Sequence, residues 1–134
     1  MPERRPPPYE GGCLCGAVRY RIIAAPLNVR ICHCRICQKL TGSAFYARAV
    51  FPQDAVEVTG ETRGYNSSEE LTRRFCPTCG SSLFAERPQN LVSVTLGTFD
   101  DPESFVPEAQ VFTRSRMSWL PADEDLPGFE TWVS

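Results

Sequence analysis

The sequence predicts an all-β domain with one short helix, and three observations carry that expectation. Apolar and polar residues alternate over short runs, as they do in half-buried strands. β-Branched and aromatic residues are concentrated in those runs. Gly, Pro, Asn and Asp punctuate the chain between them. A chain of 134 residues fits one domain and buries about two-thirds of its extended surface on folding, enough for a modest core. With 42% hydrophobic and 22% charged residues, the composition is that of a folding chain and not of a disordered one.

Taken in order, residues 1–10 hold four prolines and no hydrophobic periodicity, which predicts a disordered arm. The body is expected over residues 11–120. Its first strand is read in AVRYRII, where Val18, Tyr20 and Ile22 alternate with Arg19 and Arg21. A short helix is expected from Arg35 to Leu40, because RICQKL contains adequate helix formers and stops before Thr41 and Gly42. Further strands are read in SAFYARAVF, AVEVTG, LTRRFC, SSLFAE, LVSVTLGTF and AQVFTRS. Phe45, Phe75, Phe84, Phe99 and Phe112 lie in these runs and are assigned to the core. Residues 121–134, PADEDLPGFETWVS, read as an irregular tail packed on the body, with Phe129 and Trp132 as isolated apolar groups.

The formal charge is −2, from thirteen arginines and one lysine against sixteen acids. Such a balance creates no general attraction to polyanions, so no nucleic-acid partner is expected. The opening MPERRPPPYE lacks the apolar stretch of a signal peptide, and no window approaches the roughly 20 apolar residues of a membrane span. The expectation is a cytoplasmic protein with no membrane contact.

Seven cysteines form an odd set, which leaves at least one unpaired in any intramolecular disulfide scheme. In a reducing compartment, metal binding is the better use for them. They fall into three groups: Cys13 and Cys15 in GGCLCG, Cys32, Cys34 and Cys37 in CHCRIC, and Cys76 and Cys79 in CPTCG. CPTCG has the spacing of a zinc half-site, with Pro77 stiffening the turn and Gly80 permitting a left-handed backbone that aims amide N–H groups at the sulfurs. A redox dithiol is the weaker reading, since such motifs open a helix after a strand and SSLFAE reads as a strand. Two groups can donate the remaining ligands, and spacing does not choose between them. Joining the two-cysteine groups makes a closed four-sulfur site and leaves three adjacent cysteines, the pattern of a zinc with one open position. His33, the sole histidine, lies between two of those cysteines and is expected to point its ring away from an ion they share.

GGCLCGAVRY, CHCRICQKLTGSAF, RFCPTCGSSLF and FTRSRMSWL resemble, in order and spacing, the glutathione-dependent formaldehyde-activating enzymes, a family that also includes centromere protein V. The likeness runs from about Gly11 to Leu120. It implies a Mss4-like, zinc-ribbon-like β fold with two zinc ions. It assigns Cys13, Cys15, Cys76 and Cys79 to a structural zinc, and Cys32, Cys34 and Cys37 to a catalytic one. The implied activity is that of a carbon-sulfur lyase joining formaldehyde and glutathione reversibly into S-hydroxymethylglutathione. Many members have histidine where this chain has Gln110.

An open three-thiolate zinc deprotonates an incoming thiol, whereas a free cysteine thiol, with a pKa of about 8.5, is mostly protonated at pH 7. Polarisation of the aldehyde oxygen is the alternative use of the metal. For the carboxylates of a glutathione-like substrate the sequence offers Arg35, Lys39, Arg114 and Arg116, each of which also reads as ordinary solvated charge. Thr41 and Ser43 read as a cap on the turn after the helix, and Trp119 as either a core closure or a pocket edge. Two other functions fit the cysteines: a zinc-stapled protein-binding module without catalysis, and a thiol redox or metal-handling protein. A concave pocket at Cys32, Cys34 and Cys37 favours the enzyme, and a flat apolar patch favours the binding module.

Overall fold

The computed structural model describes residues 3–132. Among these residues the chain forms ten strands and one α-helix. In order they are β1 (Tyr9–Gly12), β2 (Arg19–Ile22), β3 (Asn28–Cys32), α1 (Arg35–Thr41), β4 (Tyr46–Pro52), β5 (Val56–Thr59), β6 (Arg63–Asn66), β7 (Thr72–Phe75), β8 (Ser82–Arg87), β9 (Leu91–Thr95) and β10 (Ala109–Val111). Strands β1, β2 and β5 make a small sheet, and the others a seven-stranded sheet in the order β10-β3-β4-β9-β8-β7-β6. Strand β10 runs parallel to β3; every other pairing is antiparallel. The all-β architecture with one short helix is thus the one the patterning predicts. No helix among the described residues is long and apolar enough to cross a membrane.

Alternation along each strand sorts side chains to the two faces of the large sheet. Ala49 and Phe51 of β4 and Val92 and Val94 of β9 join Tyr9, Tyr20 and Ile22 of the small sheet in the main core. Phe99 and Phe105 complete it, meeting edge to face with their centroids 4.8 Å apart. On the opposite face Tyr46 and Arg48 of β4, Ser93 of β9, Ala85 and Arg87 of β8 and Arg73 of β7 line a cavity. Strands β4, β8 and β9 therefore supply both core and cavity.

The disordered arm expected over 1–10 is corrected at its inner end. Tyr9 and Glu10 begin β1, and Tyr9 is buried against Phe51, Phe99 and Phe105. The amide of Arg4 donates to the Ser104 carbonyl at 2.7 Å, and the Tyr9 hydroxyl to the Arg5 carbonyl at 2.8 Å. One aromatic ring entering the core is enough to seat a proline-rich segment that has no periodicity of its own. Residues 1 and 2 of the expected arm lie outside the described residues. Gly11 lets β1 approach closely, since a Cβ there would lie 2.3 Å from both the Thr98 carbonyl oxygen and the Tyr20 hydroxyl.

Strands β3 and β6 also go beyond the sequence reading. Strand β6 is exposed throughout and so carries no alternation to read. LVSVTLGTF ends as a strand at Thr95 and continues as a 3₁₀ turn over Leu96–Thr98. At the chain's end the segment 127–131 runs beside β10: Gln110 N–H donates to the Pro127 carbonyl, and Phe129 and Phe112 N–H to those of Gln110 and Thr131, each at 2.9 Å. That covers an otherwise open sheet edge. Residues 133 and 134 of the tail lie outside the described residues.

Candidate functional site

The fold gathers the seven cysteines, none in a disulfide, into two groups. Cys13, Cys15, Cys76 and Cys79 bring their sulfurs within 4.8 Å of one another, as do Cys32, Cys34 and Cys37. The first group joins the sheets. Cys13 follows β1 of the small sheet, while Cys76 and Cys79 lie in the turn between β7 and β8 of the large one. Cys13 and Cys76 are buried beside Val18 and Leu83.

Sulfur–sulfur distances are 3.6 Å for Cys13–Cys15 and 3.8 Å for Cys15–Cys76. Four sulfurs placed tetrahedrally about 2.3 Å from a zinc ion lie about 3.8 Å apart, so the donor set fits such an ion. The backbone adds positive ends of dipoles. Val18 N–H donates to the Cys13 sulfur at 3.2 Å and Cys79 N–H to that of Cys76 at 3.5 Å. Gly80 takes a φ of 81°, closing the CPTCG turn with a bond from its N–H to the Cys76 carbonyl at 2.9 Å. The Ser81 hydroxyl, 3.2 Å from the Cys79 sulfur, is the leading cause that lowers that thiol to about 5, with the Ser81 amide next.

The second group is built by a strand ending and a helix beginning. Cys32 closes β3, Cys34 caps α1 by accepting the Cys37 N–H at 3.3 Å, and Cys37 lies on the helix's first turn. A sulfur does here what a Ser or Asp side chain does at other helix starts. The helix runs one residue past the expected end and stops with Gly42 in the left-handed conformation. Thr41 donates its hydroxyl to the Cys37 carbonyl at 2.8 Å and accepts from Ser43 N–H at 3.2 Å, which is capping chemistry. Hydrogen bonds from the Cys32 and Cys37 thiols hold the Cys34 thiol well below its ordinary range, while Cys37 is pushed far up by the same two neighbours. Three adjacent sulfurs cannot all be anionic without a cation among them.

No fourth His, Cys, Asp or Glu among the described residues joins this triplet. His33 is buried at 2% exposure and its Nε2 lies 3.0 Å from the Gln110 side-chain oxygen, away from the sulfurs' shared space. The Gln110 amide donates in turn to the carbonyls of Asp123 and Leu126 at 3.4 Å, so Gln110 ties His33 to the tail.

All three sulfurs line a cavity of about 260 Å³. Its walls are Tyr46, Leu71, Phe112 and Trp132 on the apolar side and Arg48, Arg73 and Arg87 on the charged side. Phe112, expected in the core, is instead a wall of this cavity, held at a φ of 56°. That conformation is sparsely populated by an aromatic residue and marks a position the surroundings impose.

The four cations read from the sequence are elsewhere. Arg35 and Lys39 line a separate shallow groove with Met117 and the exposed Trp119. Arg114 is exposed over the Phe112 ring, and Arg116 donates to the Leu120 carbonyl. Close to the triplet in sequence, Arg35 and Lys39 stand on α1 and line that groove instead of the cavity the sulfurs line. The signal for the true cavity lining was the alternation itself: Tyr46 and Arg48 share one face of β4 opposite Ala49 and Phe51.

A family model described as glutathione-dependent formaldehyde-activating enzyme matches residues 8–115. An uncharacterised lyase of Schizosaccharomyces pombe is 33% identical over 78 residues, 58% of this chain and 57% of that protein. A Halomonas elongata protein provisionally named a glutathione-dependent formaldehyde-activating enzyme is 35% identical over 91 residues, 60% of this chain and 57% of that protein. The matches therefore span little more than half the length of these curated relatives. A Rhodobacter sphaeroides protein of known crystal structure superimposes with a TM-score of 0.57 at 25% identity, over 68% of this chain and 87% of that one.

Proposed function

The chain belongs to the glutathione-dependent formaldehyde-activating enzyme family, and we propose that it is a carbon-sulfur lyase acting on S-hydroxymethylglutathione or a similar small thiol adduct. One observation carries this reading: three sulfurs, without a fourth protein ligand among the described residues, open onto a concave cavity, while the other four lie together in a separate group. In this reading Cys13, Cys15, Cys76 and Cys79 hold a structural zinc and Cys32, Cys34 and Cys37 hold a catalytic one. Zinc bound at the triplet would supply the positive charge that keeps an incoming thiol deprotonated or polarises the aldehyde oxygen.

The rest is done by the chain. Cys34, anchored by the Cys37 amide, fixes the triplet at the helix start. Leu71, Phe112 and Trp132 exclude water from the reacting end, and Tyr46 closes the wall beside Cys32. The new bond joins the substrate sulfur to the aldehyde carbon, and the thiol's proton ends on the aldehyde oxygen; cleavage reverses both transfers. Holding the two reactants together supplies part of the acceleration. The concavity supports an enzyme over a flat protein-binding module. Seven free thiols support a reducing compartment, the cytoplasm in this reading.

The test is to follow formaldehyde release from S-hydroxymethylglutathione, with zinc supplied, by the wild type and by Cys34→Ala. Turnover by the wild type that the variant loses supports the proposal. No turnover of this adduct, nor of other small thiol adducts, by a fully zinc-loaded protein sinks it.

A further inference from the structure

Three arginines face the cavity, and none pairs with an acid among the described residues. Arg48, 2% exposed, donates among the described residues to the Asn28 side-chain oxygen alone, at 2.8 Å. Arg73, 8% exposed, donates to the Ser67 hydroxyl at 3.0 Å, and half-buried Arg87 to that of Ser93 at 3.2 Å. The ion pairs among the described residues use Arg4, Arg5, Arg19 and Arg74 instead. The contrast within β7 is direct: Arg74, on the opposite face from the cavity, bonds Glu86 at 2.8 Å, while its neighbour Arg73 meets no acid among the described residues.

Burying cations this way is costly. Desolvation, reinforced by Arg87, pushes the Arg48 guanidinium down to about 10. Arg30, directly opposite Arg48 in the β3–β4 register, adds a further positive charge and leaves its Nε buried without a partner. Aromatic rings brace the other two: Arg73 lies over Tyr46 at 5.7 Å and Arg87 over Trp132 at 5.6 Å from the ring centroids. An anionic metal–thiolate cluster at the triplet would balance about one of these charges, leaving a positive excess for an anionic ligand to meet.

We propose that Arg48, Arg73 and Arg87 form an oxyanion cradle that selects a small acidic substrate, gripping its carboxylate or phosphate end while the other end faces the triplet. The inference rests on the reading of this cavity as the substrate site. Arg48 lies two residues along β4 from Tyr46, the cross-strand partner of Cys32, so the backbone positions that carry the arginine and face the sulfur are about 7 Å apart along the strand. A cavity of about 260 Å³ is below the roughly 300–1,000 Å³ of drug-sized ligand sites, which favours a short acid over a tripeptide held entirely inside.

The zinc-loaded full chain would be titrated with succinate and with inorganic phosphate, reading melting temperature and tryptophan fluorescence. The wild type, Arg48→Met and Arg87→Met would be compared. The cradle predicts stabilisation of the wild type by at least one of these anions, and an affinity about 10-fold or more weaker in each variant. Which anion acts identifies the oxyanion. It also predicts that Arg48→Met, without ligand, melts no lower than the wild type, because an unpartnered buried cation has been replaced by an apolar chain of similar length. Equal responses in all three proteins, or none in any, overturn the proposal, as does a sharply destabilised Arg48→Met whose Arg87→Met counterpart keeps the full response. Lyase turnover without an anion response would retain the proposed function and remove the cradle; an arginine-dependent anion response without turnover would do the reverse.

Discussion

The two cysteine groups set the same donor chemistry in opposite geometries. The four-cysteine group draws its sulfurs from both sheets and closes around the space between them. The three-cysteine group belongs to one strand end and the helix that follows it, touches a single sheet, and opens on a cavity. In the proposed reading, what separates a staple from a site is where the donors come from, since a metal held between two sheets would contribute to folding and one held at a sheet's face would not have to.

The largest expected effect would break the comparison on the staple side. Cys76→Ala or Cys13→Ala should leave the domain unfolded or aggregated, because structural zinc contributes folding free energy on the order of 10 kcal/mol, about the whole stability of a small domain. Circular dichroism would check this, and a natively folded Cys76→Ala would mean that the staple is dispensable. Cys34→Ala should instead keep its strand spectrum and lose one of two zinc ions per chain by elemental analysis. Unfolding of that variant would erase the distinction between the two sites.

Metal removal sharpens it further. A chelator added in steps should take the triplet's metal first, since one of its faces is open, and melting temperature should fall only when the second ion leaves. Simultaneous release of both would show that the sites are coupled. The smallest effect concerns acid. The Cys79 thiol is lowered to about 5 by the Ser81 hydroxyl and amide. A depressed thiol favours the folded, ligand-ready state above its ordinary range, and that advantage disappears as pH falls through about 5. Ser81→Ala should therefore release the structural metal at a pH higher by a fraction of a unit, with the fold intact at pH 7. A release curve unmoved by the substitution would mean that the hydroxyl does not support the sulfur.

Residue patterns alone disclose the β class, the helix beginning at Arg35, the three cysteine groups and the turn at Gly80, because each depends on spacing within a few residues. Tyr9 shows the first limit: nothing beside it in a proline-rich stretch announces that its ring fills a space between Phe51, Phe99 and Phe105, residues far along the chain. The cavity shows the second. Arg48, Arg73 and Arg87 come from β4, β7 and β8, and they share a wall only because β9 lies between β4 and β8 in the sheet order. Arg35 and Lys39, closer to the triplet in sequence, were turned aside by the helix. Local chemistry can be read from neighbours along the chain, whereas a charged wall depends on strand order, which is settled by how the two faces of the sheet are buried.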